Sequence, residues 1–449
     1  VALFLPKYRV IDSAPFPITR VPGTFYVPLG EKPEAAALYE TRWNGVRVYF
    51  IDYPKYFGRP ELYRGPDGDY PDNDERFIFY CRAVLEGAKF VDFKPDVIHC
   101  HDWQAAIIPA YLRTLYKTDG FYARTGSLLT VHNIAYQGNY TKDELFLAGF
   151  GWSDFTPDKL EYYGGFNFLK AGLVLADHVN TVSPTYAKET ITAAFGRGME
   201  GVLRSRGEAY TGILNGLDTE AWDPAKDTYA ATRFSAPDVL EGKAANRDFL
   251  RKSVGLDAAS GAAVVGLVTR LDPQKGLDIA AEVLPEFLSG GKVQVALLGS
   301  GDRELAELFS KLAADHPGKL HFGQGFDEGL AHRIYAGADL FLMPSRFEPC
   351  GLSQMIAMRY GTLPVVTRTG GLADTVTDAS DPKDGNGFVA PEPTVLSVRD
   401  ALARALDAFE KKDAWKRLVR NAISADFSWE RSVAGYLDAF NRILAKVRA

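Results

Sequence analysis

Cysteine is scarce in this chain, and long apolar runs are absent. The three cysteines, Cys81, Cys100 and Cys350, lie far apart, are odd in number and stand in apolar or motif contexts. Such usage does not build a disulfide framework and points to a reduced compartment. No apolar run reaches the roughly 20 residues that a membrane-spanning helix needs, so no membrane segment is predicted.

An excess of positive charge is also missing. Lys and Arg total 51 against 57 Asp and Glu, which gives a net charge of −6. This balance argues against a nucleic-acid-binding surface and supplies no attraction to an anionic membrane. We find no internal repeat of about 20–50 residues and no low-complexity segment. The composition is that of a globular protein, and a length of 449 residues suggests two domains.

The chain opens with Val1 rather than Met, and residues 1–5 predict a buried strand. A doubly wound domain normally begins with an earlier strand and a glycine turn. We therefore expect the first domain to be incomplete at its N-terminus, and these residues do not decide whether a targeting peptide precedes it.

The segment from Pro344 to Val376 carries the strongest functional pattern. A short apolar run ends in a turn that presents Arg346 and Glu348, and a second run ends in Thr369-Gly-Gly371 before another helix. Ligands of parallel sheets bind outside the carboxyl ends of strands, and the N–H groups at a helix start favour an anion. The pattern suits a ligand with a polar ring and a diphosphate. A βαβ crossover whose glycines serve packing remains the alternative.

A second pair of polar residues follows the apolar run 263–269. Arg270 and Lys275 stand five residues apart at the end of a predicted strand, before a helix. Arg can bind two phosphate oxygens while Lys acts as a point charge, so the pair predicts a phosphate clamp. A solvated pair of loop cations is the alternative.

In the first half, His99, Cys100, His101 and Asp102 stand at the end of a predicted strand. Successive strand side chains point to opposite faces, and zinc spacings are absent, so no metal site is predicted. Asp102, at the carboxyl end of this strand, fits either a ligand-binding carboxylate or a helix N-cap. His132 ends the next strand, where a structural histidine is the alternative. Asp67 to Asp74 holds acidic pairs in a long polar loop from Pro54, which we interpret as solvated turn residues.

Several motifs together carry a family resemblance. The chain resembles bacterial glycogen synthases and plant starch synthases, which are retaining glucosyltransferases of the GT-B fold, in His101-Asp-Trp103, Thr130-Val-His-Asn133, Arg270-Leu-x-x-Gln-Lys-Gly276, Glu348-Pro-Cys-Gly-Leu-Ser-Gln354 and Arg368-Thr-Gly-Gly-Leu372. The resemblance implies an α/β architecture of two Rossmann-like doubly wound domains facing an interdomain cleft. It implies an acceptor-side domain at 1–211, a nucleotide-sugar domain at 212–427 and a last helix, 428–449, packing back on the first domain.

The same resemblance implies the reaction. Glucose would pass from ADP-glucose to the non-reducing end of an α-1,4-glucan with retention, without a metal or other cofactor, in the bacterial cytoplasm or a plastid. The implied catalytic residues are Asp102, His132, Arg270, Lys275 and Glu348. The implied donor-binding residues are Asn215, Phe326 (against adenine), Cys350, Gly351, Leu352, Thr369, Gly370 and Gly371.

Two alternatives stay open. One is a UDP-glucose-dependent GT-B transferase, although Ile356 stands where that related family usually has a second Glu. The other is a non-catalytic protein that binds glucan or nucleotide sugar, because the family's Lys-x-Gly-Gly-Leu motif is missing from this sequence. Because that motif is missing, the sequence does not predict whether the present chain is active.

Overall fold

The computed structural model describes residues 1–11, 15–65 and 68–448. By internal contacts the chain forms two compact units. The first comprises Val1–Thr181, Thr190–Thr211 and Tyr436–Ala449, and the second comprises Val182–Glu189 and Gly212–Gly435.

The strands in chain order are β1 (Ala2–Pro6), β2 (Thr19–Arg20), β3 (Phe25–Leu29), β4 (Lys32–Trp43), β5 (Val46–Asp52), β6 (Arg64–Gly65), β7 (Gly68–Asp69), β8 (Val97–His101), β9 (Gly126–Val131), β10 (Asn139–Tyr140), β11 (Glu161–Tyr162), β12 (Gly165–Asn167), β13 (His178–Thr181), β14 (Tyr210–Gly212), β15 (Ala263–Leu271), β16 (Val293–Gly301), β17 (Leu320–Gln324), β18 (Leu340–Met343), β19 (Leu363–Thr367) and β20 (Phe388–Ala390).

The helices in chain order are α1 (Pro54–Phe57), α2 (Asn73–Phe90), α3 (Asp102–Ala105), α4 (Ile108–Arg113), α5 (Glu144–Leu147), α6 (Phe168–Leu175), α7 (Pro184–Thr190), α8 (Glu200–Ser205), α9 (Val239–Val254), α10 (Leu277–Ser289), α11 (Arg303–Asp315), α12 (Glu328–Gly337), α13 (Ser353–Arg359), α14 (Gly370–Thr375), α15 (Val395–Glu410), α16 (Lys412–Ile423) and α17 (Trp429–Arg448). Single turns of 3₁₀ helix cover Trp152–Asp154, Gly207–Ala209, Ala236–Asp238 and Pro273–Lys275. None of the helices in the described residues is long and apolar enough to cross a bilayer.

The N-terminal sheet of the first unit is mostly antiparallel. Its strand order is β1-β5-β4-β2, with β3 paired to β4, and only β1 and β5 run parallel. Side chains of β3 alternate strictly between buried and exposed, as expected for a sheet with one covered face. The strand predicted at residues 1–5 forms as β1. It is not buried, however, since it stands at one end of the sheet's strand order and Leu3 is 42% exposed.

A second sheet of the first unit has the order β14-β13-β9-β8, and its strands β8, β9 and β13 run parallel. Every residue of β9 is buried. Leu128 of β9 packs in one cluster with Ala439 and Ile443 from the C-terminal part of α17. A Cβ at Gly126 would overlap the Ile443 side chain, so a larger residue there would force Ile443 to shift. The predicted loop from Pro54 to Asp74 contains α1 and the hairpin β6-β7 rather than unbroken loop.

The second unit is built on one parallel sheet with the strand order β17-β16-β15-β18-β19-β20. Counted along the chain this is 3-2-1-4-5-6, the order of dinucleotide-binding Rossmann domains. The predicted apolar runs at 263–269, 293–298, 339–343 and 363–366 form β15, β16, β18 and β19, which confirms the predicted parallel sheet. The order reverses between β15 and β18, so a ligand crevice belongs at the carboxyl ends of these two strands.

Candidate functional site

A cleft of about 210 Å³ lies at this switch point in the second unit. It is lined by the end of β15, the turn after it, β18, the loop after it and the start of α13: Val268, Thr269, Arg270, Lys275, Leu277, Phe341, Leu342, Met343, Pro344, Ser345 and Ser353. Both cations of the predicted phosphate clamp therefore border one cleft. Its position outside the carboxyl ends of two neighbouring parallel strands is the one that the strand order predicts.

Lys275 contacts Glu348 directly in this region. Lys275 ends the 3₁₀ turn Pro273–Lys275, and the next residue, Gly276, has a φ of +64°. A Cβ at Gly276 would overlap the carbonyl oxygen of Pro344, so only glycine lets this turn pack against the loop after β18. The packing brings Lys275 Nζ to 2.6 Å from Glu348 Oε2. The Ser345 hydroxyl also donates to Glu348 Oε2, at 3.3 Å.

The ion pair between Lys275 and Glu348 is largely buried. Glu348 is only 5% exposed, and the Lys275 side chain is 17% exposed. An ionised carboxylate without a partner is strongly disfavoured away from water, whereas a close cation compensates much of that cost. The alternative of a solvated loop cation therefore does not hold for Lys275.

Arg346 stands in the same turn as Glu348, as predicted, but pairs with a different residue. Its guanidinium forms a two-pronged ion pair with Asp278, at 2.7 and 2.5 Å, and donates to the carbonyl oxygen of Pro273 at 3.0 Å. Arg346 thus braces the turn before α10. The sequence could not give this result, because Asp278 lies 68 residues away along the chain.

The Thr369-Gly-Gly371 turn packs on the Glu348–Cys350 loop. A Cβ at Gly370 would overlap the carbonyl oxygen of Glu348, and one at Gly371 would overlap that of Cys350. The Gly371 N–H donates to Glu348 O at 3.0 Å, and the Gly370 N–H donates to Glu189 Oε1 at 2.9 Å. Both amides of the predicted anion cradle thus have protein acceptors in this structure. The alternative, in which the glycines serve packing, accounts for their positions.

The residues after Glu348 form a tight turn closed by Gln354. Its side-chain N–H group donates to the carbonyl oxygens of Cys350 and Gly351, at 3.2 and 2.8 Å. Burial raises the pKa of Cys350 to about 12, so its thiol stays protonated. The Asn215 N–H contacts this sulfur. Asn215 Oδ1 is buried without a hydrogen-bond partner among the described residues.

Two predicted donor-binding residues are exposed. Leu352 is 46% exposed, next to Gly351, whose φ is +71°. Phe326 follows β17, the edge strand of the sheet, and is 91% exposed. An exposed ring at this position is accessible for stacking, and adenine contact stays a prediction for Phe326.

In the first unit, Asp102 and His132 come together at the ends of neighbouring parallel strands. Asp102 follows β8 and has a φ of +56°, in the left-handed region. Its Oδ1 accepts the backbone N–H of His132 at 2.7 Å, and the Asn133 N–H also stabilises the carboxylate. Burial nevertheless raises the pKa of Asp102 above its usual value. The N-cap alternative is wrong, because Asp102 is the first residue of α3 and its carboxylate binds the next strand end instead.

His101 is a site neighbour that sequence reasoning missed. Its Nδ1 lies 3.0 Å from Nε2 of His132, a hydrogen bond that requires at least one of the two rings to be neutral. The ring of His99, two residues back on the same strand face, lies tilted against the His101 ring, with 4.2 Å between the ring centres. Burial, together with the nearby rings of His101 and His132, lowers the pKa of His99 to about 3. The sequence signal for this neighbour is the i, i+2 spacing of the two histidines, which places both on one face of β8.

No group of three or more His, Cys, Asp or Glu side chains is arranged to hold a metal within residues 1–11, 15–65 and 68–448. Of the acidic loop pairs, Asp67 lies outside the described residues. Asp72 is not a freely solvated turn residue, since it pairs with Arg59 at 2.7 Å.

Comparison with known proteins gives the family. The glycogen synthase of Elusimicrobium minutum is 49% identical over 448 residues, spanning 99% of this chain and 92% of that protein. This chain belongs to the glycogen synthase family. The Thermotoga maritima glycogen synthase is 41% identical over 456 residues, with 100% of this chain and 92% of that protein covered. Two family models match as well, the starch synthase catalytic domain at residues 1–205 and the group 1 glycosyl transferases at residues 248–422.

Solved structures give the same family and its fold. The catalytic domain of starch synthase IV from Arabidopsis thaliana, bound to ADP and acarbose, superposes with a TM-score of 0.91 at 34% identity, covering 99% of this chain and 92% of that one. A sucrose-phosphate synthase of Thermosynechococcus elongatus, at 19% identity and a TM-score of 0.56, shares the fold alone. The predicted family, the GT-B fold class and the assignment as a glucosyltransferase are thereby confirmed.

Proposed function

We propose that this member of the glycogen synthase family transfers glucose from ADP-glucose to the non-reducing end of an α-1,4-glucan with retention of configuration. The observation that carries the proposal is the buried Lys275–Glu348 pair, 2.6 Å apart beside a cleft at the sheet's switch point. Names of relatives up to 49% identical support the same reaction. The predicted domains, 1–211 for the acceptor and 212–427 for the donor, are part of this proposal.

On the donor side, Arg270 and Lys275 stabilise the diphosphate as it leaves. Both border the same cleft, and Lys275 is already fixed by Glu348. Charges held in place before the reaction stabilise developing charge without reorganising, which is the main way such sites lower a barrier. The reaction is accordingly proposed to proceed without a metal ion.

Glu348 is proposed to bind the glucosyl group and to stabilise the positive charge that develops on it. Glucosyl transfer develops positive charge on the sugar ring, as in glycoside hydrolysis. A carboxylate that is 5% exposed and fixed by Lys275 and Ser345 binds sugar hydroxyls and favours that charge. In the first unit, Asp102 and His132 are the proposed sugar-binding groups, and the bond from the His132 N–H holds the carboxylate in place.

The remaining donor contacts are proposed for Phe326 after β17, for Asn215 and for the turns after β18 and β19. Phe326 stacks on adenine, and its missing hydroxyl relative to tyrosine leaves stacking intact. The proposed contacts to the sugar and diphosphate come from Asn215, Cys350, Gly351, Leu352 and Thr369. Gly370 and Gly371 are proposed to shape this part of the donor site by letting the turn approach the Glu348–Cys350 loop, since their N–H groups already have protein acceptors. ADP and an α-glucan are the proposed ligands, in keeping with the ADP and acarbose bound by the Arabidopsis protein. A bacterial cytoplasmic location is proposed from the bacterial relatives.

The test is incorporation of labelled glucose into glycogen by protein expressed from the complete gene. ADP-glucose is compared with UDP-glucose at equal concentration, with and without EDTA, and the anomeric configuration of the product is read by NMR. We expect transfer from ADP-glucose, an α-linked product and no loss with EDTA. Preference for UDP-glucose, or binding of glucan and ADP without transfer, would overturn the proposal. Loss of activity with EDTA would overturn its metal-free part.

A further inference from the structure

The segment from Val182 to Glu189 is tied to both loops of the proposed donor site. Ser183 Oγ donates to the carbonyl oxygen of Pro349 at 2.7 Å, next to Glu348. Thr185 donates through its N–H and hydroxyl to Asp374 of α14, at 2.8 and 2.6 Å. These contacts place α7, which begins at Pro184, against the residues that follow β18 and β19.

Glu189 makes the contact that reaches the glycine turn. Its Oε1 accepts both the Thr369 hydroxyl at 3.0 Å and the Gly370 N–H at 2.9 Å. Hydrogen bonds to an ionised acceptor are about twice as strong as neutral ones. One carboxylate oxygen therefore holds the backbone and the side chain of two consecutive residues in the turn.

The Thr369–Gly370 turn also holds the loop that carries Glu348. Gly370 has a φ of +42°, and its neighbour Gly371 donates its N–H to Glu348 O at 3.0 Å. A shift of this turn would move the backbone of Glu348, because a Cβ at Gly370 would already overlap the Glu348 carbonyl oxygen. The contacts thus run from Glu189 through the turn to Glu348.

A glutamate at position 189 does not stabilise its own helix. The residue lies in the last turn of α7, where the helix dipole disfavours a negative charge. Burial, and to a lesser extent the nearby carboxylate of Asp374, raises the pKa of Glu189. Both effects disfavour the ionised side chain at this position. The hydrogen bonds from Gly370 and Thr369 act in the opposite direction and favour the ionised form.

We propose that Glu189 is a positioning residue of the donor site, which fixes the Thr369–Gly370 turn and through it the loop carrying Glu348. The inference rests on the proposed function and adds a residue outside the motifs at positions 270–276 and 348–354. Glu189 itself touches neither donor nor acceptor in this proposal. Glu189 affects the reaction only through the positions of the turn and of the Glu348 loop, which hold the donor.

The experiment compares Glu189→Ala and Glu189→Gln with Thr185→Val. The last variant removes a hydroxyl bond between α7 and α14 but leaves the turn untouched, so it is the matched control. We expect Glu189→Ala to lower kcat/KM for ADP-glucose by about tenfold to a hundredfold with little change in KM for glycogen. Glu189→Gln keeps an acceptor oxygen and should recover part of the loss, and Thr185→Val should stay within about twofold of wild type.

Hydrogen exchange of the peptide covering the turn supplies a readout independent of turnover. Glu189→Ala should speed exchange at Gly370, and Thr185→Val should not. Wild-type kinetics and wild-type exchange in a folded Glu189→Ala variant would overturn the inference, as would an equal kinetic loss in Thr185→Val. If Glu189→Ala fails to fold, Glu189→Gln is measured against Thr185→Val by the same criteria. An inactive wild type would instead overturn the proposed function, and exchange at Gly370 would still decide the role of Glu189.

Discussion

At the scale of single residues, Lys275 and Glu348 compensate each other's charge in a buried position. Glu348 is 5% exposed, and its carboxylate contacts the Lys275 ammonium and the Ser345 hydroxyl. Removing one member of such a pair leaves a buried charge without compensation. The same ammonium is the group that we assign to the leaving diphosphate, so Lys275 connects local stability with the proposed chemistry.

Lys275→Ala should therefore lower turnover by about a hundredfold or more while the chain stays folded, because preorganised charge on the leaving group is lost. Steady-state kinetics with ADP-glucose measures the loss, and circular dichroism checks the fold. Lys311→Ala, at an exposed position of α11, is the control and should leave turnover unchanged. Near-normal turnover in a folded Lys275→Ala variant would contradict the clamp.

The three thiols should be unreactive in the native protein. Burial raises the pKa of Cys350 to about 12 and also raises the pKa values of Cys81 and Cys100. A raised thiol pKa lowers the thiolate fraction at pH 8, and the thiolate is the reactive form. Titration with Ellman's reagent should report almost no thiol in the native chain and three after unfolding in guanidinium. A rapidly reacting thiol in the native chain would show that one of the three sites is open.

At the scale of elements, the site depends on two loops that pack on each other. Gly370 and Gly371 allow the turn after β19 to approach the backbone of Glu348 and Cys350 at distances that no Cβ permits. Gly276 does the same for the turn after β15 against Pro344. Three consecutive strand ends are thereby joined by backbone packing, which fixes the positions of the side chains between them.

Gly370→Ala should destabilise the chain by about 2–4 kcal/mol, since it adds left-handed strain and a steric overlap. Gly291→Ala is a matched control, because Gly291 has a φ of +67° and no atom lies within 4 Å of the position that an alanine Cβ would occupy there. We expect that control to cost only about 1–2 kcal/mol. Guanidinium unfolding measures both, and equal losses would mean that the overlap at Gly370 is easily relieved.

At the scale of the whole molecule, the two units differ in construction. The N-terminal sheet of the first is mostly antiparallel, whereas the sheet of the second is entirely parallel with a single switch point. The starch synthase family matches residues 1–205 and the group 1 transferase family residues 248–422. The strand order assigns a ligand crevice to the six-stranded parallel sheet of the second unit, because the order reverses there between β15 and β18.

ADP should accordingly protect the second unit in a defined pattern. At saturating ADP, hydrogen exchange should slow about tenfold or more in residues 270–276 and 344–352, because binding disfavours local opening. Peptides from α16 are the internal control and should be unchanged. Protection confined to residues 1–181 would contradict the assignment of the donor to this sheet.

Sequence alone determined the architecture of the second unit and the identity of most candidate residues. The runs that became β15, β16, β18 and β19 are short and mostly apolar, and they alternate regularly with helical segments, so local pattern suffices to predict a parallel sheet. Arg270 follows the run 263–269 directly, and Lys275 and Glu348 stand in the turns after β15 and β18. Strand ends of a parallel sheet lie at one edge, and the cleft follows from that rule.

Tertiary structure alone decided which partner each side chain meets. Arg346 turned to Asp278, Asp102 bound the amide of His132 rather than its own helix, and the Gly370 N–H was taken by Glu189. These partners lie 68, 30 and 181 residues apart along the chain. No local periodicity encodes such contacts, because they form only after packing has brought residues that are far apart in sequence next to each other.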